Sequence, residues 1–211
     1  TIQMLVAIAP IHAAAGIDRI NVATYQSVSG AGRKGMEELA KQTMDRLSFK
    51  EVKPSAFAQP IAFNAIPVID AMQDNDYTRE EKKMHWETSK ILRDDSIGVN
   101  ATAVRIPVFF GHSEAVHLEN KRDISMDDVR ELLHKAPGLV LVDDTDPKAQ
   151  VTAVTHAAGK DPVYISRLRR DHTHSRGIDM WVVGDNVRKG AALNAVQILK
   201  TIVNGKLPVE T

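Results

Sequence analysis

The 211 residues include no cysteine. A disulfide framework and a thiolate metal site are therefore both excluded. An excess of charge of one sign is also missing: Lys+Arg and Asp+Glu are both 27, so the formal net charge is zero. Proteins that work on nucleic acid usually carry a basic excess, because neutralised phosphates supply most of their affinity. Long hydrophobic runs are lacking as well. The longest, from Met4 to Gly16, is broken by Pro10 and His12. It is shorter than the roughly 20 residues that cross a bilayer, and it has no charged start of the signal-peptide kind. No repeat or low-complexity tract occurs. A soluble cytoplasmic domain is the expectation, and 43% hydrophobic residues suffice for a real core.

Residues 1–15 read as an apolar helix with no flank of its own ahead of Thr1, which suggests a fragment or a processed chain. Ile20, Val22 and Thr24 alternate with Asn21 and Ala23 as in a strand. QSVSGAG, from Gln26 to Gly32, is a small-residue loop. Met36, Leu39, Ala40, Met44 and Leu47 recur at helical spacing and predict an amphipathic helix. Residues 52–76 hold Pro54, Pro60 and Pro67 without a clean period and read as an irregular crossing segment. Thr78 with Glu81 forms a capping box for a helix to about Leu92. Val99 to Phe110 is strand-like, and a second strand follows Gly111. Ser125 caps a short helix that Pro137-Gly138 ends. Leu139–Val142, Val163–Leu168 and Ile178–Val183 are further strands, and a last helix runs from about Val187 to Asn204. Short links suit antiparallel pairs and helical crossings suit parallel ones. The fold class expected is α+β or α/β, with a mixed sheet and helices packed on it.

Three constellations could carry chemistry. Arg105, in AVRIPVFFGHSEA, sits on an apolar strand. It needs a carboxylate, a phosphate or a wet cleft, unless it forms a salt bridge at a sheet edge. His112, after a glycine at a strand end, is placed for acid/base work or for a simple turn hydrogen bond. Seven residues of straight strand span about 23 Å and end on the opposite face. The two can share a site only if the chain bends at Pro107 or Gly111. In HWETSK, Glu87 and Lys90 lie on one helix face, as a solvated pair or as anion and cation for a substrate. The loop YQSVSGAG lets backbone N–H groups approach a ligand closely, or simply turns the chain. His172, His174 and His156 lack ligand spacing of a telling kind, so no metal is expected.

ATYQSVSGAG, WETSKIL, VRIPVFFGHSE and VGDNVRKGAALNAVQI, in this order, resemble the successive signatures of aspartate-semialdehyde dehydrogenases. The resemblance spans essentially the whole chain. Even TIQM is similar to the segment after that family's Asn-Cys-Ser motif, which would put the catalytic cysteine two positions before Thr1. The resemblance implies a fold like the C-terminal domain of glyceraldehyde-3-phosphate dehydrogenase. It implies NADPH-dependent reduction of β-aspartyl phosphate to aspartate semialdehyde through a cysteine thioester, on the way to lysine with diaminopimelate, threonine and methionine. Residue by residue, it makes His112 the acid/base catalyst and Gln26 the group that orients the substrate. Arg105 would grip the α-carboxylate, Glu87 the amine and Lys90 the phosphate. Ser29, Gly30 and Asn186 would touch the nucleotide, NADP. A Rossmann-type half carrying the cysteine is then expected before Thr1. Residues 1–185 would then form the substrate-binding and dimerisation domain of a homodimer, and 186–211 a helix that packs on the other half. The fragment alone is expected to be inactive. N-acetyl-glutamyl-phosphate reductase and a silent paralogue or isolated assembly domain are the alternatives; ETSK and GAALNAVQ favour the aspartyl enzyme.

Overall fold

The computed structural model describes residues 1–205. Helix α1 (Ile2–Ala15) leads into strand β1 (Ile17–Gln26), a 3-10 turn over Val28–Ala31 and helix α2 (Gly32–Leu47). After an irregular crossing come helix α3 (Arg79–Leu92) and strands β2 (Gly98–Arg105) and β3 (His112–Asn120). Helix α4 (Met126–Lys135), strands β4 (Leu139–Leu141), β5 (Val163–Arg170) and β6 (Gly177–Gly184), and helix α5 (Leu193–Val203) complete the order.

The strands form one six-stranded sheet in the order β2-β1-β3-β6-β5-β4. The two outer pairs, β1 with β2 and β4 with β5, are parallel. The inner pairings, β1 with β3, β3 with β6 and β5 with β6, are antiparallel. This is the mixed sheet that the spacing of the segments predicts. Helices α1, α3 and α4 lie against one face. Met4, Ile8 and Ile11 of α1 are fully buried there with Ile20, Leu118, Ile165 and Ile178 of the sheet. Each such side chain contributes about 1.5–3 kcal/mol over an exposed one. Gly16 (φ 66) ends α1, and the Ile17 N–H turns back to His12 Nδ1 at 3.1 Å. On α3 the capping box is present in both halves, Thr78 with Glu81.

Two expectations change. The strand begun at Gly98 stops at Arg105 rather than running to Phe110. There Arg105 exchanges both backbone hydrogen bonds with Ile66 of the crossing segment, and Pro107 has no N–H to continue a ladder. Met44 and Leu47, on the expected apolar stripe of α2, are 62% and 70% exposed, because the satellite core of Val28, Leu39, Ile61, Ala62 and Ile66 covers only the first turns. Helix α5 has no buried residue. Residues 206–211 of the expected C-terminal unit lie outside the described residues. Among those described, no helix is long and apolar enough to cross a membrane.

Candidate active site

The sheet and α1 enclose a cleft of about 500 Å³. Its lining includes Thr24 and Gln26 from β1, Arg105 from the end of β2, and His112 and Glu114 from β3. Parallel pairing sets Gln26 beside Arg105, and antiparallel pairing sets Thr24 beside Glu114. The bend that brings Arg105 and His112 together is the segment 106–111, which leaves the sheet after Arg105 and re-enters at His112. Gly111 (φ 84) makes the final turn, and a Cβ there would stand 2.9 Å from the Ala153 Cβ. The returning segment is tied down by Val28 N–H to Val108 O (2.8 Å) and Ser29 N–H to Phe109 O (3.2 Å).

Arg105 is only 7% exposed. Its Nη1 donates to the Ser27 carbonyl oxygen at 2.7 Å. Among the described residues no ion pair involves it, so its remaining donors face the cleft without a carboxylate. Burial lowers its pKa, while Glu80 works the other way. A guanidinium remains charged under such pressure. His112 keeps part of its surface open to the cleft, yet is packed densely enough that burial, then the Arg105 charge, push its pKa down to about 3. It is a neutral imidazole at physiological pH. Its Nδ1 accepts from the Ser27 N–H at 3.0 Å, and its Nε2 lies 3.4 Å from Gln26 Nε2. Gln26 is itself held by Thr24 Oγ1 (3.0 Å) and donates to Glu80 Oε1 (3.3 Å). Gly30 closes the ring of contacts: a Cβ on it would stand 2.8 Å from Arg105 Nη1.

Asn186 joins three loops at the rim. Its Oδ1 accepts from Ser27 Oγ (3.1 Å), Ser29 Oγ (3.2 Å) and the Gly111 N–H (3.0 Å). The buried Asp185 fixes it from behind by accepting from the N–H groups of Gly159, Val187 and Arg188.

A family model described as semialdehyde dehydrogenase, dimerisation domain, matches residues 8–189. The chain belongs to the semialdehyde dehydrogenase family. It is 55% identical over 96% of its length to an aspartate-semialdehyde dehydrogenase of Legionella pneumophila, covering 58% of that protein. A crystal structure of aspartate semialdehyde dehydrogenase II from Vibrio cholerae, complexed with ASA, superposes with a TM-score of 0.94 at 53% identity, over 97% of this chain and 60% of that one. A probable aspartate-semialdehyde dehydrogenase from Pseudomonas aeruginosa does so at 0.90 and 32% identity, over 98% of this chain and 61% of that one. The chain thus spans about three fifths of these relatives, 58–61% of each.

In this semialdehyde dehydrogenase domain the structure gathers Gln26, Gly30, Glu87, Arg105, His112 and Asn186 around the cleft. Ser29 stands just behind, its hydroxyl 2.9 Å from Asn186 Nδ2. Lys90 is not brought in. The cleft is lined by α3 from Glu80 to Glu87, and Lys90, about 4.5 Å further along the helix axis, is exposed. Lys83 takes the place inside, bonded to Glu80 at 3.0 Å. Burial disfavours its charge, but Glu80, with Glu87 and Asp70, outweighs that and raises its pKa. The sequence reading also passed over Ser27, Glu80 and Glu114. Of these Glu114 had a visible signal, since it lies two residues after His112 on one strand face with Val116 and Leu118.

Proposed function

We propose that this domain supplies the substrate-binding and acid/base half of an NADPH-dependent aspartate-semialdehyde dehydrogenase. The observation that carries the reading is the buried guanidinium of Arg105, free of any carboxylate partner among the described residues, beside a neutral histidine. A planar fork in a cleft matches a substrate carboxylate with two parallel hydrogen bonds. Glu87 and Glu80 stand opposite for the amine of the same substrate, and Lys83 provides a positive charge for a leaving phosphate. Lys90 would join that phosphate contact only at the outer end of α3. The relative from Vibrio cholerae, complexed with ASA, supports this substrate class.

The chain has no thiol, so the nucleophile that forms the acyl-enzyme must come from the two fifths of the relatives' length that this chain does not span. The nucleotide residues fit their expected role. Gly30 leaves open the space beside Arg105 and His112 that any side chain would fill, and Ser29 with Asn186 offers polar groups at the rim. NADPH, when bound, supplies hydride. Gln26 and His112 orient and protonate on the protein's side of the reaction.

Arg105→Lys in the complete enzyme should raise KM for aspartate semialdehyde about tenfold or more, since one point charge replaces the fork. Unchanged kinetics would sink the assignment. The isolated chain should show no turnover with NADP, phosphate and semialdehyde, and should gain it on mixing with a separately made N-terminal half that contains the cysteine. Helix α5 belongs to the docking surface in this reading. Val196, Leu199 and Ile202 are 48%, 57% and 43% exposed, and an uncovered apolar face costs about 25 cal/mol per Å². Turnover by the chain alone would overturn the division of labour.

The sheet face away from α1 is the dimer surface in the same reading. Ala23, Ala115 and Trp181 stand side by side in register across β1, β3 and β6, none of them fully buried. An exposed apolar patch on a sheet face marks an interaction site. Sedimentation at high micromolar concentration should show a dimer, and Ala23→Arg should convert it to monomer. A monomer in the parent protein would count against the surface.

A further inference from the structure

The sheet face away from α1 carries a group of charges that the cleft does not use. His117 follows Ala115 on that face of β3, and Asp179 lies opposite it on β6, in register. His117 Nδ1 lies 2.9 Å from Asp179 Oδ1. Its Nε2 lies 3.8 Å from both Glu119 Oε1 and Asp171 Oδ2. One imidazole thus stands among three carboxylates, from β3, β6 and the turn after β5. The positive charge in contact with them is smaller. Arg169 of β5 reaches Asp179 at 3.5 Å. Arg19 of β1 pairs in register with Glu119, but its Nε donates along its own strand to Asn21 Oδ1 at 3.3 Å. The Thr173 N–H and hydroxyl, then His117 and His174, hold the Asp171 pKa down.

A hollow of about 450 Å³ opens over this cluster, and His117, Asp179, Arg167 and Arg169 line it. A bulge in β5 shapes it. Ser166 pairs with Trp181 and Arg169 with Asp179, so Arg167 and Leu168 together stand against Met180. Arg167 takes φ 57, the left-handed position that a bulge usually gives to glycine. The bulge keeps Leu168 in the core and leaves Arg167 and Arg169 on the hollow. Ala115 and Trp181 line the same hollow, so it is continuous with the dimer surface described above.

We propose that association of two copies through this face takes up a proton at His117, so that the dimer tightens as the pH falls. The inference rests on the reading of the face as a dimer surface. In the single chain the cluster is open to water, with side-chain exposure from 15% at Asp171 to 28% at Glu119. A second copy laid over the hollow displaces that water. Carboxylates stripped of water need counter-charge, and an uncompensated one is costly. Arg169 and Arg167 supply two guanidinium groups at the edge of the hollow, against three carboxylates. A proton on His117 adds the missing positive charge at the centre of the cluster. A two-fold pairing brings the same surplus from each copy, so the demand is doubled. The dimer therefore binds more protons than two separate chains. By linkage, its dissociation constant falls as protons are added. Histidine is the side chain suited to such a role near neutral pH.

Sedimentation equilibrium of the 211-residue chain, between about pH 6 and about pH 8.5, reads this constant directly. The constant should be about tenfold or more lower at the acid end. His117→Gln keeps an amide beside Asp179 but takes up no proton, so its constant should be nearly independent of pH. Glu119→Gln removes part of the surplus from a half-exposed position. It should tighten the dimer at the alkaline end and flatten the slope, and it carries the test if His117→Gln does not fold. His174→Gln, beside Asp171 but without an ion-pair contact to His117, should keep the parent slope. A dimer whose constant does not change with pH, or that weakens in acid, overturns the proposal. So does a parent slope in both His117→Gln and Glu119→Gln. A chain that stays monomeric at every pH overturns the dimer surface itself, and this inference with it.

Discussion

His112→Asn in the complete enzyme should lower kcat for semialdehyde oxidation by about two to four powers of ten, with KM changed by a few-fold at most. The split follows from the geometry. In the proposed function substrate charge is held by Arg105, whose anchor on the Ser27 carbonyl does not involve His112. The proton-carrying group next to the reacting carbon is lost, because an amide cannot take up and return a proton at useful pH. Steady-state kinetics with saturating NADP and phosphate measure both constants. A variant that raised KM with kcat intact would show that His112 only binds substrate.

Glu114→Gln should change how stability depends on pH by about 3 kcal/mol. Glu114 is 3% exposed, and its Oε2 has no hydrogen-bond partner among the described residues. Burial raises its pKa from 4.5 to about 7, against a hydrogen bond from Gln3, which lowers it. The folded carboxyl therefore keeps its proton where the unfolded one has lost it. In that interval the folded state binds more protons, so stability falls as pH rises from about 4.5 to about 7 and is flat above. Each unit is worth about 1.4 kcal/mol. Glutamine has the same shape and no proton to lose. The difference in unfolding free energy between variant and parent should grow by about 3 kcal/mol from pH 4.5 to pH 8, as read by urea denaturation. His112 contributes an opposite slope, lost as pH falls from 6.5 towards about 3, but it is present in both proteins and cancels. A constant difference across the range would mean that Glu114 is ionised in the fold.

What the sequence disclosed follows the range of the interactions concerned. The start of α3 was legible because Thr78 and Glu81 satisfy each other within one turn. The end of β2 was not, because what stops it is a bridge from Ile66, about 40 residues earlier, as well as Pro107. The meeting of Arg105 with His112 could be stated as a requirement, since only a bend at Pro107 or Gly111 allows it, and Gly111 at φ 84 supplies that bend. The family resemblance named six residues of the cleft lining, but it could not show where the lining of α3 ends, so Lys90 was expected where Lys83 stands. Ser27 carried no signal at all. A small residue in a small-residue loop shows nothing of a backbone group that works through distant partners. Strand order was equally hidden, as β6 lies between β3 and β5 through contacts formed only in the folded chain.

The anchoring of both functional side chains on the main chain of one residue bears on how this site tolerates change. Side-chain replacement at position 27 leaves the peptide N–H and C=O in place, so the spacing of imidazole and guanidinium is insulated from drift at that codon as long as the new residue is small enough for a fully buried position. The groups proposed to read the rest of the ligand, Glu80, Lys83 and Glu87, come from a separate helix. A combinatorial library confined to that helix could therefore vary ligand preference while the imidazole–guanidinium pair stays fixed as a constant module.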